Sequence, residues 1–99
     1  MTKYHAIPTV VDGIRFASKA EARRYQELRL MQRAEKIGGL TLQPRFKFPM
    51  GFAYVGDFQY LQDGRVVVED VKGFVTPVFR IKAACFRHFY PKIELRIVK

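Results

Sequence analysis

The segment Asp57-Phe58-Gln59-Tyr60-Leu61-Gln62-Asp63-Gly64-Arg65-Val66-Val67-Val68-Glu69-Asp70-Val71-Lys72 runs one strand-like stretch into an Asp-Gly pair and a second one out of it. Asp-Gly between two runs rich in β-branched and aromatic residues is among the strongest short hairpin signals. The strands are expected over residues 52–62 and 65–72. With a two-residue turn Gln62 faces Arg65, and counting back along the ladder sets Asp57 opposite Asp70, both on one face of the sheet. Lys72, two residues beyond Asp70, projects to that face with Val66 and Val68. Two carboxylates so close raise each other's pKa unless a cation lies between them. Glu69 and Val71 alternate to the opposite face, where Glu69 reads as a solvated or structural acid. A bulge would exchange it with Asp70.

Working outward, residues 1–16 read as an irregular arm closing in a turn at Asp12-Gly13. Ser18 and Glu21 form a Ser-x-x-Glu capping box, and Lys19 to about Lys36 is rich in strong helix formers and stopped by Gly38-Gly39. Tyr25, Leu28 and Met31 give this helix an inward face, with Arg23, Arg24 and Glu27 mostly elsewhere. Leu40 to Phe48 reads as an extended strand bearing Pro44, at an edge or bend. Thr76-Pro77 offers an N-cap and a first-turn proline. A second helix then runs from Val78 to about Phe89, ended by Pro91, and residues 93–98 alternate as a last strand. Helix, three strands, helix, strand gives an α/β fold with a mixed sheet flanked by helices.

The length of 99 residues fits a single domain. A hydrophobic content of 48% supports a core, so a disordered basic tail is excluded. One cysteine, Cys85, excludes an intrachain disulfide framework and a cysteine-rich metal site. No apolar run nears the roughly 20 residues of a membrane helix, and the N-terminus lacks a secretory pattern. The expected setting is therefore cytoplasmic. Eighteen Lys and Arg against 9 Asp and Glu leave a net charge of +9. That excess points to a polyanionic partner, nucleic acid before an anionic membrane surface. The bases are spread along the chain, which fits a folded basic face.

Glu21 shares the inward side of its helix with Tyr25 and Leu28 and lies in the first turn. Packed on the sheet, that turn would bring a third carboxylate near Asp57 and Asp70. Capping alone also explains Glu21, and the two roles are compatible. Three oxygen ligands on rigid elements suit Mg²⁺ or Mn²⁺, with Lys72 stabilising negative charge or helping to activate a water. Metal-activated water attacking a phosphodiester fits both the acids and the surplus positive charge.

Asp57 followed by Asp70-Val71-Lys72 resembles the Asp…(Asp/Glu)-x-Lys signature of the PD-(D/E)XK nuclease superfamily, with Gly56 in place of the proline that names it. A longer string resembles small phage-encoded, endonuclease-like proteins of the DUF1064 type. It runs Val11-Asp12-Gly13-Ile14-Arg15-Phe16, Ser18-Lys19-x-Glu21-Ala22-x-Arg24-Tyr25, Leu42-Gln43-Pro44, Asp57-Phe58-x-Tyr60 and Val68-Glu69-Asp70-Val71-Lys72-Gly73. The resemblance covers nearly the whole chain. It implies a restriction-endonuclease-like αβββαβ core and a metal-dependent endonuclease site in which Glu21, Asp57 and Asp70 hold Mg²⁺ or Mn²⁺. By the same resemblance, the Val71 carbonyl is expected to help hold the metal and Lys72 to assist catalysis. It also implies a phage-encoded protein at work in a bacterial host, with junction-resolving, usually dimeric relatives.

Other residues have plainer readings. His5 and His88 lack partners at metal-ligand spacing. Cys85 falls with Val78 and Ile81 on an apolar helix side and reads as core. Phe46, Phe48, Phe52, Phe58 and Tyr60 read as core before a base-stacking platform. Gln43 either hydrogen-bonds near the site or stands at a strand edge. Lys19, Arg23, Arg80 and Lys82 are candidate phosphate contacts, against a solvated helix face as the alternative. The leading expectation is an Mg²⁺- or Mn²⁺-dependent endonuclease acting on branched or duplex DNA as a homodimer. Its rivals are a catalytically silent DNA-binding protein on the same fold and an interaction protein whose charge serves solubility.

Overall fold

The Asp63-Gly64 pair adopts positive φ at both residues, 51° and 76°, the geometry whose twist suits a two-residue hairpin. The computed structural model describes residues 6–99, and His5 and Lys3 lie outside them. The turn joins β6 (Phe58–Gln62) to β7 (Arg65–Val71) in the expected register, with Gln62 facing Arg65 and Phe58 facing Glu69. β3 (Gly38–Leu42) pairs antiparallel with the other edge of β6, through a register shift between Gly38 and Thr41. After α2 (Pro77–Phe89), β8 (Glu94–Val98) returns parallel to β7. The sheet order β3-β6-β7-β8 is therefore mixed, as the element order requires.

Two departures shape what surrounds this sheet. Residues 9–16 are not irregular: β1 (Thr9–Val11) and β2 (Ile14–Phe16) form a second Asp-Gly hairpin, with φ of 53° at Asp12 and 74° at Gly13. Three-residue strands carry almost no periodicity, so packing decides. The Phe16 ring lies 4.9 Å from that of Tyr25 on α1 (Lys19–Arg33), and Arg29 and Tyr25 both donate to Asp12. The helix ends at Arg33, short of Lys36, where Glu35 turns to φ 61°.

The second departure concerns the long strands expected over 40–48 and 52–62, which break side by side. Gln43 takes φ 51° next to Pro44, and the chain also leaves the sheet at Gly56-Asp57. Gln43 N–H donates to the Asp57 carbonyl and Gly56 N–H to the Pro44 carbonyl, each at 3.0 Å. Beyond these linked breaks the chain continues as a separate ribbon, β4 (Arg45–Lys47) with β5 (Ala53–Val55).

Alternation along β7 divides the core into two layers. Phe58, Tyr60 and Val67 pack under α1 with Ala22, Tyr25 and Leu28. Val68 and Leu95 pack with Phe79, Ala83 and Phe86 of α2 and with Phe48 and Tyr54 of the ribbon. Cys85 packs against this second layer, but Val78 and Ile81 are exposed. α2 carries two apolar stripes, and the aromatic one is buried because it removes more apolar surface from water. Phe46, Phe48, Phe58 and Tyr60 are core as expected; Phe52 is exposed.

Glu69 is completely buried in the α1 layer and is not solvated. Arg24 grips it with two bonds, Nε at 2.8 Å and Nη2 at 2.7 Å, and the Tyr60 hydroxyl donates to it as well. Arg24 thus reaches inward despite its lateral position on the helix, because its long stem spans the gap. Removing one partner of such a pair strands a buried charge. Arg24→Ala is expected to lower unfolding free energy by about 3 kcal/mol in urea titration. Glu27→Ala, which removes the exposed partner of the same arginine, should cost under about 0.5 kcal/mol.

Candidate functional site

Asp57, immediately before β6, is fixed by both neighbours of Asp70. Its N–H donates to the Glu69 carbonyl at 2.9 Å, and its Oδ2 accepts from the Val71 N–H at 2.7 Å. This clasp sets the two aspartates side by side at the C-terminal end of β7, as the hairpin count requires. Asp70 is 3% exposed, an exceptional position for an acid. Two groups satisfy it: Lys72 Nζ lies 3.3 Å from Oδ1, and the Tyr54 hydroxyl donates to Oδ2. The Lys72 ammonium also rests 4.8 Å from the centre of the Phe79 ring, an attraction between cation and ring face.

Burial first, and then the charges of Asp70 and Glu21, together raise the Asp57 carboxyl to about 7 against the opposing bond from the Val71 N–H. Burial, and then the bond to Asp70, raise the Tyr54 phenol, so it remains a donor at neutral pH. The two adjacent carboxylates, crowded by like charge, are hard oxygen donors of the kind a small divalent cation takes. Asp57 and Asp70 would hold such an ion.

Glu21 stands somewhat apart. It performs the expected capping, its N–H donating to Ser18 Oγ at 3.1 Å, while the Ser18 hydroxyl donates to Glu21 Oε2 at 3.2 Å. Asp70 lines a cavity of about 290 Å³ with Tyr54, Lys72 and Lys82. Glu21 lines a neighbouring one of about 490 Å³ with Val71, Lys72 and Phe74. Lys72, Thr76 and Phe79 border both. Among the described residues, no three acidic, histidine or cysteine side chains form a group that could hold a metal ion.

Of the candidate phosphate contacts, Lys82 is half-buried and lines the Asp70 cavity, whereas Lys19, Arg23 and Arg80 are exposed helix positions outside both cavities. Gln43 stands at the strand break, its backbone N–H donating to the Asp57 carbonyl, and its side chain is exposed. His88 is exposed, edge-on to Phe89. No described helix is long and apolar enough to cross a membrane. Tyr54 is the residue that sequence reasoning passed over. It sits in an apolar stretch, and its polar end matters only because the ribbon folds back under α2.

The DUF1064 family, described as a protein of unknown function, matches residues 1–99. The chain belongs to it. No curated protein matches the sequence. Membership extends the ordered motifs quoted above to a whole-chain correspondence, and it leaves the chemistry to be argued from the site.

In this DUF1064 member, position 56 has a physical reason for being glycine. Its N–H is used, donating to Pro44, and a Cβ there would lie 2.7 Å from Val68 Cγ1 and 3.4 Å from the Glu69 carbonyl oxygen. Proline would lose the bond and add the clash. Gly56→Ala is expected to cost about 1–3 kcal/mol by forcing Val68 aside, and Gly56→Pro more, as read from urea midpoints.

Because the folded state raises the Asp57 pKa, it binds more protons than the unfolded chain between about 4 and 7. The contribution of this group to stability is therefore fully present below about 4 and lost as pH rises through about 7. In chelator-treated protein the melting temperature should fall across that window. Asp57→Asn should flatten the fall, and calorimetry at a series of pH values measures both.

Proposed function

We propose that this protein is a metal-dependent endonuclease of the PD-(D/E)XK type that hydrolyses phosphodiester bonds in DNA. The observation that carries the reading is the adjacent pair Asp57 and Asp70, the latter held by Lys72, beside a cavity that Lys82 also lines. Burying two acids together costs stability unless something is gained, and a cation-binding role supplies that gain. In this reading Asp57 and Asp70 hold Mg²⁺ or Mn²⁺, with Glu21 and the Val71 carbonyl as further donors. The ion supplies an activated water and a Lewis acid at the phosphate. Lys72 stabilises the charge that develops on the scissile phosphate. Lys82 binds an adjacent phosphate, and Lys19, Arg23 and Arg80 extend the contact along the backbone, with Gln43 at the rim.

The net charge of +9 supports a polyanionic substrate. No element resembles a base-reading motif, so selectivity by structure is favoured over sequence. Branched or junction DNA is the proposed substrate and a homodimer the proposed unit, since two cuts need two sites. The lack of a three-ligand group among the described residues favours a second reading, a catalytically silent DNA-binding protein on this fold.

One experiment separates them. Labelled four-way junction, flap, duplex and single-stranded DNA are incubated with and without Mn²⁺. Metal-dependent cleavage of branched DNA is expected, falling by about three orders of magnitude in Asp70→Ala. Salt-dependent binding without cleavage or Mn²⁺ uptake would establish the silent binder instead. Cleavage by Asp70→Ala at the wild-type rate would end the endonuclease assignment at this site.

A further inference from the structure

We infer that Tyr54 is a positioning residue of the Asp57/Asp70 site, an inference that rests on the metal-binding reading above. Asp70 receives one partner on each carboxylate oxygen: Lys72 on Oδ1 and the Tyr54 hydroxyl on Oδ2. The two partners differ in freedom. The Lys72 side chain is 34% exposed on a flexible stem, whereas Tyr54 is 2% exposed. Its ring is wedged 5.2 Å from that of Phe86 and 6.3 Å from that of Phe79.

Tyr54 is therefore the fixed reference for the carboxylate plane, and Lys72 the partner able to move aside when a cation or phosphate arrives. A single rigid donor on Oδ2 turns Oδ1 toward the side that Lys72 occupies, leaving one oxygen of Asp70 to face an incoming ion. The restraint comes from outside the sheet. Tyr54 belongs to β5, which reaches Asp70 only because the paired breaks at Gln43-Pro44 and Gly56-Asp57 carry the ribbon under α2. Such outer partners orient ligands and tune their affinity.

The opposite face of β7 provides an internal control. There the Tyr60 hydroxyl donates to Glu69, which Arg24 also grips, and neither Tyr60 nor Glu69 lines the cavities of Asp70 and Glu21. The two tyrosines are alike in burial, and their surroundings differ: Arg24 grips Glu69 and Arg96 donates to the Tyr60 hydroxyl at 3.2 Å, whereas Asp70 has Lys72.

Mn²⁺ affinity is measured by isothermal titration calorimetry on wild type, Tyr54→Phe and Tyr60→Phe, alongside urea unfolding and cleavage of branched DNA. Tyr54→Phe is expected to weaken Mn²⁺ binding about tenfold or more, to lower kcat, and to leave KM for DNA within about twofold. Tyr60→Phe is expected to lower the urea midpoint while leaving the Mn²⁺ dissociation constant unchanged. Equal Mn²⁺ affinity in wild type and Tyr54→Phe, or equal weakening in both variants, would overturn the positioning role and leave the metal reading intact. Should wild type bind no Mn²⁺, the metal reading itself falls, and the inference with it.

Discussion

Glu69 and Asp70 are consecutive in β7 and both buried, one on each side of the sheet. The register that keeps them in that order is the constraint on which the rest depends. With side chains alternating, a slip of one residue would turn Glu69 toward Tyr54 and leave Asp70, with Lys72, facing Arg24. Neither exchange preserves the geometry: the bidentate fork of Arg24 fits the longer glutamate, and Asp57 clasps the backbone on both sides of Asp70. The Asp63-Gly64 turn sets the register from one end, and the two acid networks hold it at the other. One strand thereby serves both layers, with a closed ion pair beneath α1 and an open, adjustable one beneath α2.

The two networks illustrate different uses of buried charge. Glu69 is saturated by a two-pronged guanidinium and a phenol, and burial also drives the Tyr60 phenol up to about 12 so that it stays a donor. Nothing there is left to react. Asp70 instead has a part-exposed lysine, a neighbouring acid whose pKa is raised to about 7, and a cavity at its side. Completeness of pairing, more than burial itself, distinguishes the structural acid from the candidate functional one.

The β6–β7 pairing, the Asp57/Asp70 juxtaposition and the position of Lys72 were legible because a tight turn and a period of two determine them almost alone. Thr76 and Ser18 caps were legible for the same local reason. What escaped depends on contacts between distant segments. The Asp12-Gly13 hairpin is stabilised by α1, and Arg24 is drawn inward by a glutamate 45 positions away. The long strands break because Gln43 and Gly56 bond across to one another's neighbours. Tyr54 escaped because its role exists only after that break. Valine-rich β7 did carry a hint, since an acid on an apolar face implies a basic partner, but not which of 18 bases would serve.

The sheet order leaves β3 and β8 at its two ends, and an unpaired edge invites another strand. β3 is blunted by its register shift and by Gln32 of α1, whose Oε1 accepts from the Leu40 N–H at 2.8 Å. β8 has no such cover from a helix side chain among the described bonds, but Lys92 and Lys99 flank it, while Arg96 within it is paired with Glu94. Antiparallel addition of a second copy there would set these cations against their own images. The surplus positive charge therefore also acts on the sheet itself, because repulsion between like charges along β8 works against its extension by a second copy.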